Sequence, residues 1–423
     1  MDNATHAFAG MMLADATSTW IERRTGVPLD QPLRRTLVAL GIVAAELPDA
    51  DLLYSGPVMG MGKLGYLLHH RGHTHTVVFA VASALLMWWL VLSIRQRNRV
   101  ANARERLPLL VLTMAGTLSH LLLDFTNSYG VHPFWPIDNR WVFGDSVFIV
   151  EPWLWVVAIP PLLLAARRTW TRVVLSLLLC AILAASWTLG QMPQQVALVL
   201  ILGAALWCLA QFWIRPSRRV WAGVLAWGAI EAVFTISSDR ARAMLRNSQS
   251  PDETVVDIVL TPGAANPLCF DALIVSLSAT AYRVRSASVA PWTNARVDSR
   301  SSRQACRLRA ATSRFLALTG AVALPSLMAN GVTWGEQWSA PRSELLALAS
   351  SRCEVAAAMR YMRVPVWQRE SDGATRLSDA RFGAGAGGFA EIRVSAGPCP
   401  FSPRVWIPPW TPPRAETLAP GSG

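Results

Sequence analysis

All seven histidines of this 423-residue chain fall within its first 132 residues: His6, His69, His70, His73, His75, His120 and His132. Carboxylates accompany them: Glu46, Asp49 and Asp51 flank Pro48, and Asp124 follows His120 by four residues. Imidazole and carboxylate are the ordinary ligands of catalytic Zn²⁺ and related divalent ions. Positions i and i+4 share a helix face, so His120 and Asp124 can grip one ion. His69-His-Arg-Gly-His-Thr-His75 packs four imidazoles into seven residues. Protonated, they would repel one another, and a metal gives a reason to keep them neutral. One or two of the four are expected as ligands, with Gly72 letting the backbone bend so that they converge. Arg71 suits an anionic phosphate oxygen, because guanidinium pairs with it bidentately. Glu46-Leu-Pro-Asp-Ala-Asp51 presents hard oxygen ligands at a turn, with turn chemistry as the competing explanation. His6 is as readily structural as a ligand, and His132 is expected to be structural. Glu151 is either a metal-site acid or a helix-end carboxylate.

The elements that must hold these residues are membrane helices. Apolar residues make up 52% of the chain, charged residues only 16%, and there are 19 tryptophans. Six segments have roughly the 20 mostly apolar residues needed to cross a bilayer: Thr76–Ile94, Pro108–Phe125, Val147–Ala165, Val173–Leu189, Val196–Ile214 and Val220–Ile236. Ala7–Ile21 and Leu37–Leu47 are weaker, and read as a helical hairpin packed against the bundle. The net charge of +12 is carried almost wholly by arginine. Clusters at Arg95–Arg106, Arg167–Arg172 and Arg215–Arg219 occupy alternate connections, which the positive-inside rule puts in the cytoplasm. Membrane topology thus accounts for the charge, and no nucleic-acid partner is expected; membrane lipids are. The His69–His75 loop, the Asp124 end of its helix and the chain from Ser237 onward fall on the outer side.

After Ser237 the character changes. Val255–Leu260, Leu273–Leu277 and Tyr282–Val289 read as strands, and Leu316–Met328 and Ser343–Met362 as helices. Gly383–Gly388 reads as a loop. Cys269, Cys306, Cys353 and Cys399 allow three pairings, among which the sequence does not choose. Cys180 and Cys208 sit in apolar spans. The expected fold is an all-α polytopic membrane domain (residues 1–237), made of six strong spans plus the weaker N-terminal helical hairpin. A soluble extracytoplasmic α+β domain (238–405) and a Pro-rich disordered tail (406–423) follow.

Met1-Asp-Asn-Ala-Thr-His6, Glu46-Leu-Pro-Asp-Ala-Asp51, His70-Arg-Gly-His-Thr-His75, Ser119-His-Leu-Leu-Leu-Asp124 and Phe134-Trp-Pro136 resemble, in order and spacing, the bacterial inner-membrane metal-dependent hydrolases. This is the YdjM-like group, described as LexA-regulated in some members. The resemblance covers about residues 1–165. It implies a metal site of His6, Asp49, Asp51, His70, His75, His120 and Asp124. A more distant similarity connects the pattern to zinc-dependent phospholipase C, without the later His-x-x-x-Glu pair of those enzymes. Together these imply one or two divalent ions, zinc foremost. The resemblance does not supply a substrate; the function expected from the site is metal-dependent hydrolysis of a phosphoester in a lipid or envelope-derived molecule, with Asp124, Asp51 and Arg71 as catalytic residues. The alternatives are a non-catalytic metal-binding envelope scaffold or sensor and, ranked last, a cation transporter.

Overall fold

In a computed structural model, the described residues are 1–56, 61–97, 103–190, 192–249, 253–278, 280–292, 306, 318–324, 328–384, 387–394, 397–401 and 405–419. Helices α1 (Asn3–Thr25) and α2 (Gln31–Glu46) form the N-terminal hairpin. Asp2 and Asp30 cap them by accepting the Thr5 and Leu33 amides. A 3₁₀ turn (Leu47–Asp51) and two short helices, α3 (Leu52–Ser55) and α4 (Gly62–His69), lead to a second 3₁₀ turn, His73–His75. Then come α5 (Val77–Arg97), α6 (Arg106–Phe125), α7 (Pro152–Ala165), α8 (Thr169–Thr188), α9 (Gln194–Trp213) and α10 (Pro216–Asn247).

Five of these, α5, α6, α8, α9 and α10, are long and apolar enough to cross a membrane. The expected span Val147–Ala165 is different. Helix α7 has only 14 residues, about 21 Å at 1.5 Å per residue against a hydrocarbon core of about 30 Å. Glu151 fixes its start, accepting the Trp153 amide at 3.1 Å and the Ala265 amide at 3.2 Å. Glu151 is therefore a helix cap that also holds a loop of the C-terminal region, and it stands outside the histidine cluster.

Of the weak hairpin, α1 lies at the centre of the bundle, while α2 packs on it and keeps an exposed face that includes Val43. Phe8, Met12 and Ala16 of α1 pack on Ala158, Ile159 and Leu162 of α7, Leu175 of α8 and Val220 of α10. Ala14 and Ile21 pack on Leu33, Leu37 and Leu40 of α2 and on Leu109 and Leu112 of α6. A helix surrounded by other helices does not need a uniformly apolar surface, so its small and hydroxylated residues are tolerated. Small residues also set the spacing. A Cβ on Gly10 or Gly41 would collide with the other's carbonyl oxygen, and a Cβ on Gly116 would lie 2.6 Å from that of Ala44.

Helix α10 runs unbroken through Ser237, where the composition changes. Its 32 residues span about 48 Å, and its far end becomes part of the next core. Strands β1 (Thr254–Gly263), β2 (Asn266–Leu277), β3 (Ala281–Val289) and β6 (Val332–Pro341) form an antiparallel sheet. The short β4 (Val322–Ala323) and β5 (Met328–Ala329) pair with β6. Alternation divides the faces: Ile258, Leu260, Phe270 and Ile274 meet Ala241 and Leu245 of α10. Val259, Leu273 and Val275 face α11 (Arg342–Ser351) and α12 (Cys353–Ala358). Strands β7 (Pro365–Arg369), β8 (Thr375–Asp379) and β9 (Glu391–Val394) form a second sheet. The cysteines pair Cys269–Cys306 and Cys353–Cys399.

Two expectations for this region are corrected. Leu316–Met328 lies partly outside the described residues, but Val322 and Ala323 within it pair as a strand with Glu336 and Gln337. The tail is also ordered through residue 419. Trp410 is buried, its indole donates to the Leu68 carbonyl at 2.8 Å, and its ring stacks on His132. Arg414 pairs with Asp257 at 2.6 Å. The tail's aromatic and basic anchors outweigh its proline content; residues 420–423 lie outside the described residues.

Candidate metal centre

Three helices and two turns bring the expected residues together. His6 lies one turn before Gly10 on α1, His120 one turn after Gly116 on α6, and Ala45 one turn after Gly41 on α2. The close crossings at these glycines therefore sit directly beneath the cluster. Pro48 turns the chain after α2 so that Asp49 and Asp51 face the same interior. The His loop folds back because Arg71 takes the left-handed conformation (φ 59°). A non-glycine residue pays for that conformation and keeps it only where contacts over-determine it. Here they do: its amide donates to Asp51 Oδ2 at 2.9 Å, and its guanidinium reaches Asp124 Oδ1 at 2.8 Å and Asn127 Oδ1 at 3.0 Å. Gly72 contributes space, not a positive φ: a Cβ there would lie 2.8 Å from the His69 carbonyl.

The Nε2 atoms of His75 and His120 face each other at 3.1 Å. Asp124 Oδ2 lies 3.1 Å from the first and 3.5 Å from the second, and Asp49 Oδ1 lies 3.3 and 3.5 Å from them. Four ligands held tetrahedrally at 2.0–2.1 Å from an ion stand roughly 3.3 Å apart, so these separations fit a single ion. The orientation of the rings agrees. His120 Nδ1 is 2.5 Å from the Ala45 carbonyl, which fixes the proton there and leaves the Nε2 lone pair free. His75 Nδ1 faces Thr74 Oγ1 at 3.0 Å and Asp51 Oδ2 at 3.3 Å. Locking one ring nitrogen so that the other can ligate is the usual support for metal-binding imidazoles. Asp49 Oδ1 and Asp124 Oδ2 are buried and aim at the two imidazole Nε2 atoms, as an ion's ligands would.

A second group shares Asp49: with Asp51 and His70 it offers ligand atoms within 4.8 Å of one another. His70 Nδ1 lies 3.0 Å from Asp51 Oδ1. Asp49 is the carboxylate common to both groups. His6 joins from the side, stacked on His120 with ring centroids 3.8 Å apart and its Nε2 3.3 Å from Asp124 Oδ1. The Met1 amine also contacts Asp124 Oδ1.

Of the four loop histidines, only His70 and His75 turn inward. His69 packs on Trp406, and His73 on Trp135, Trp406 and Trp410. His132 lies between Trp141 and Trp410. Burial takes the His69 imidazole down to about 4 and that of His132 to about 3. His75 goes the other way. Burial alone would lower it, but hydrogen bonds to Asp124, Asp49 and Asp51 raise it to about 10. Burial works to raise Asp49 and Asp51, yet the neighbouring imidazoles hold both well below the usual carboxylate range. The carboxylates of the cluster thus favour positive charge beside them. Thr74, Asn127 and the Ala45 carbonyl were not legible in the sequence as parts of it. A threonine between two histidines carries no signal, and a main-chain carbonyl has no sequence signature.

Comparison with known proteins places this region. A family model described as "YdjM inner membrane protein" matches residues 1–193. Inner membrane protein YbcI of Escherichia coli (strain K12) is 33% identical over 133 residues, which cover 31% of this chain and 68% of that protein. The chain belongs to the YdjM inner membrane protein family. The metal-cluster residues of this YdjM-family chain all lie inside the matched segment. Uncharacterized protein YfhP of Bacillus subtilis (strain 168) is 21% identical over 156 residues, 37% of this chain. The match spans only 43% of that relative's length. No solved structure matches.

Proposed function

We propose that this YdjM-family membrane protein is a metal-dependent hydrolase acting on a phosphoester of a lipid or envelope-derived molecule. The observation that carries the reading is the convergence of His75 Nε2, His120 Nε2, Asp49 Oδ1 and Asp124 Oδ2 at the spacing of one ion's ligands. A divalent ion supplies Lewis acidity and activates water near neutral pH. The chain's own residues would do the rest. Asp51 and the Ala45 carbonyl hold the two imidazoles in the ligating tautomer. Asp49 is the most exposed of the four ligands, which makes its side the route for a substrate. Arg71, anchored on Asp124 and Asn127, would steady the developing charge of a phosphoryl oxygen. The cytoplasmic placement of the arginine loops is supported by their gathering at one end: Arg23 bonds the Ser217 carbonyl, and Arg34, Arg35, Arg167 and Arg168 line one cavity. The two disulfides suit an oxidising compartment, so the sheet domain is assigned to the periplasm.

The near-complete burial of His6, His75, His120 and Asp124 favours one second reading, a closed metal site serving a scaffold or sensor. The test is the purified protein, loaded with zinc and assayed against phospholipids and generic phosphodiesters beside Asp124→Asn. Activity that tracks metal content and vanishes in the variant supports hydrolysis. Bound metal with no turnover on either substrate class favours the scaffold.

A further inference from the structure

Two cavities meet beside helix α6, on a face different from the one carrying His120 and Asp124. The first is a groove of about 550 Å³ between α1, α6 and α10, walled by Met12, Leu122, Leu123, Val224 and Trp227. Leu122 is 63% exposed, so the groove opens sideways at the level of the membrane helices. The second is a chamber of about 850 Å³ where α10 meets the sheet, carrying Arg242, Arg246, Arg363 and Arg414. Phe125, Phe143 and Arg242 line both. An apolar channel therefore leads into a basic chamber.

The charges sort along the channel. Asp145 accepts from Arg242 and Arg363, and Asp257 from Arg363 and Arg414. Glu253, also on the chamber wall, is engaged by Arg283 and Arg285. Four guanidiniums thus face two available carboxylates, and Arg246 is exposed with no acidic partner among the described residues. Glu231 and Asp239 also line the groove, Asp239 three residues before Arg242 on α10.

We propose that this compound cavity binds an anionic phospholipid, its headgroup phosphate at Arg242 and Arg246 and one acyl chain in the groove. The size, the sideways opening and the order of apolar wall then basic chamber match such an amphiphile, and phosphate is the anion that guanidinium pairs suit best. The inference is independent of the metal chemistry proposed above.

The test uses the full-length protein in nanodiscs of mixed phosphatidylglycerol and phosphatidylcholine, with retained lipid identified after gentle extraction. Two variants separate chain from headgroup. A Cβ on Gly228 meets nothing within 4 Å, so Gly228→Leu fills the groove without strain. Arg246→Gln removes a charge that holds no ion pair among the described residues. The expected result is retention of phosphatidylglycerol over phosphatidylcholine in wild type, and loss of most retained lipid in Gly228→Leu. Arg246→Gln should lower phosphatidylglycerol retention roughly tenfold, the scale of one charge-assisted hydrogen bond. Metal content should be unchanged in both variants. Equal retention of the two lipids by wild type, wild-type retention in Gly228→Leu, or complete displacement by inorganic phosphate alone would each overturn the proposal.

Discussion

A single methyl group at Gly116 should open the candidate metal centre. Its Cβ would lie 2.6 Å from that of Ala44 and 3.4 Å from the nearest backbone atoms of α2. Ordinary carbon contacts are about 3.5–4.0 Å, so Gly116→Ala must drive α6 and α2 apart by about 1 Å. His120 stands one turn further along α6, and its support, the Ala45 carbonyl, belongs to α2 at 2.5 Å. The displacement therefore falls on the bond that orients the ring and on the 3.1 Å approach of its Nε2 to His75. Metal sites tolerate ligand errors of about 0.2 Å, and disturbing the groups that orient a ligand typically costs about 10–100-fold in affinity. The overpacking itself costs about 1–3 kcal/mol, small enough for the protein to remain inserted. Titration of purified protein with Zn²⁺ against a competing chelator should show this loss. Ala44→Gly removes the opposing Cβ, leaving contacts of 3.4 Å, so the double variant should recover most of the affinity. Wild-type zinc affinity in Gly116→Ala, or no recovery in the double variant, would refute the link between the helix crossing and the site.

Other outcomes follow from the same geometry. Asp124→Asn should sharply lower bound metal without loss of insertion, because an amide is a poorer partner for a hard cation; His132→Gln should leave metal content intact, measured by elemental analysis of both. Trp410→Ala should destabilise the docked tail by about 3–5 kcal/mol, since it removes a buried indole and its bond to Leu68, and should raise proteolysis after residue 405. Burial works to raise Asp257, but Arg363 and Arg414 hold it well below the ordinary 3.8. Its stabilisation is therefore full above that value and drains as pH falls through 3.8 toward the folded value. Tryptophan fluorescence should show an acid transition there, moved to higher pH by Arg414→Gln. A periplasmic reporter joined after Gly423 should be active, and without reductant only Cys180 and Cys208 should label; cytoplasmic fluorescence from the same fusion point would reverse the orientation.

Much of this protein was legible in its sequence because the relevant signals are local. Long apolar runs declare α5, α6, α8, α9 and α10, and short apolar, β-branched runs declare β1, β2 and β3. The i, i+4 pair His120 and Asp124 shares a helix face whatever surrounds it, and the confinement of histidine to the N-terminal third marks where the chemistry gathers. What needed tertiary structure was relational. The polar content of α1 lowers its hydropathy, and only its neighbours reveal that it runs through the centre of the bundle. The apolar run before Ala165 looks long enough to span until Glu151 bonds a distant loop and begins the helix late. The composition of the tail suggests disorder until Trp410 finds the Leu68 carbonyl. Within the site, four loop histidines are equivalent as letters. The left-handed turn at Arg71 sends His70 and His75 inward and leaves His69 and His73 among tryptophans, and Asp49 emerges as the shared carboxylate. Residue types and spacing determined which groups could bind a metal; the contacts that oppose backbone strain and burial decided which of them meet.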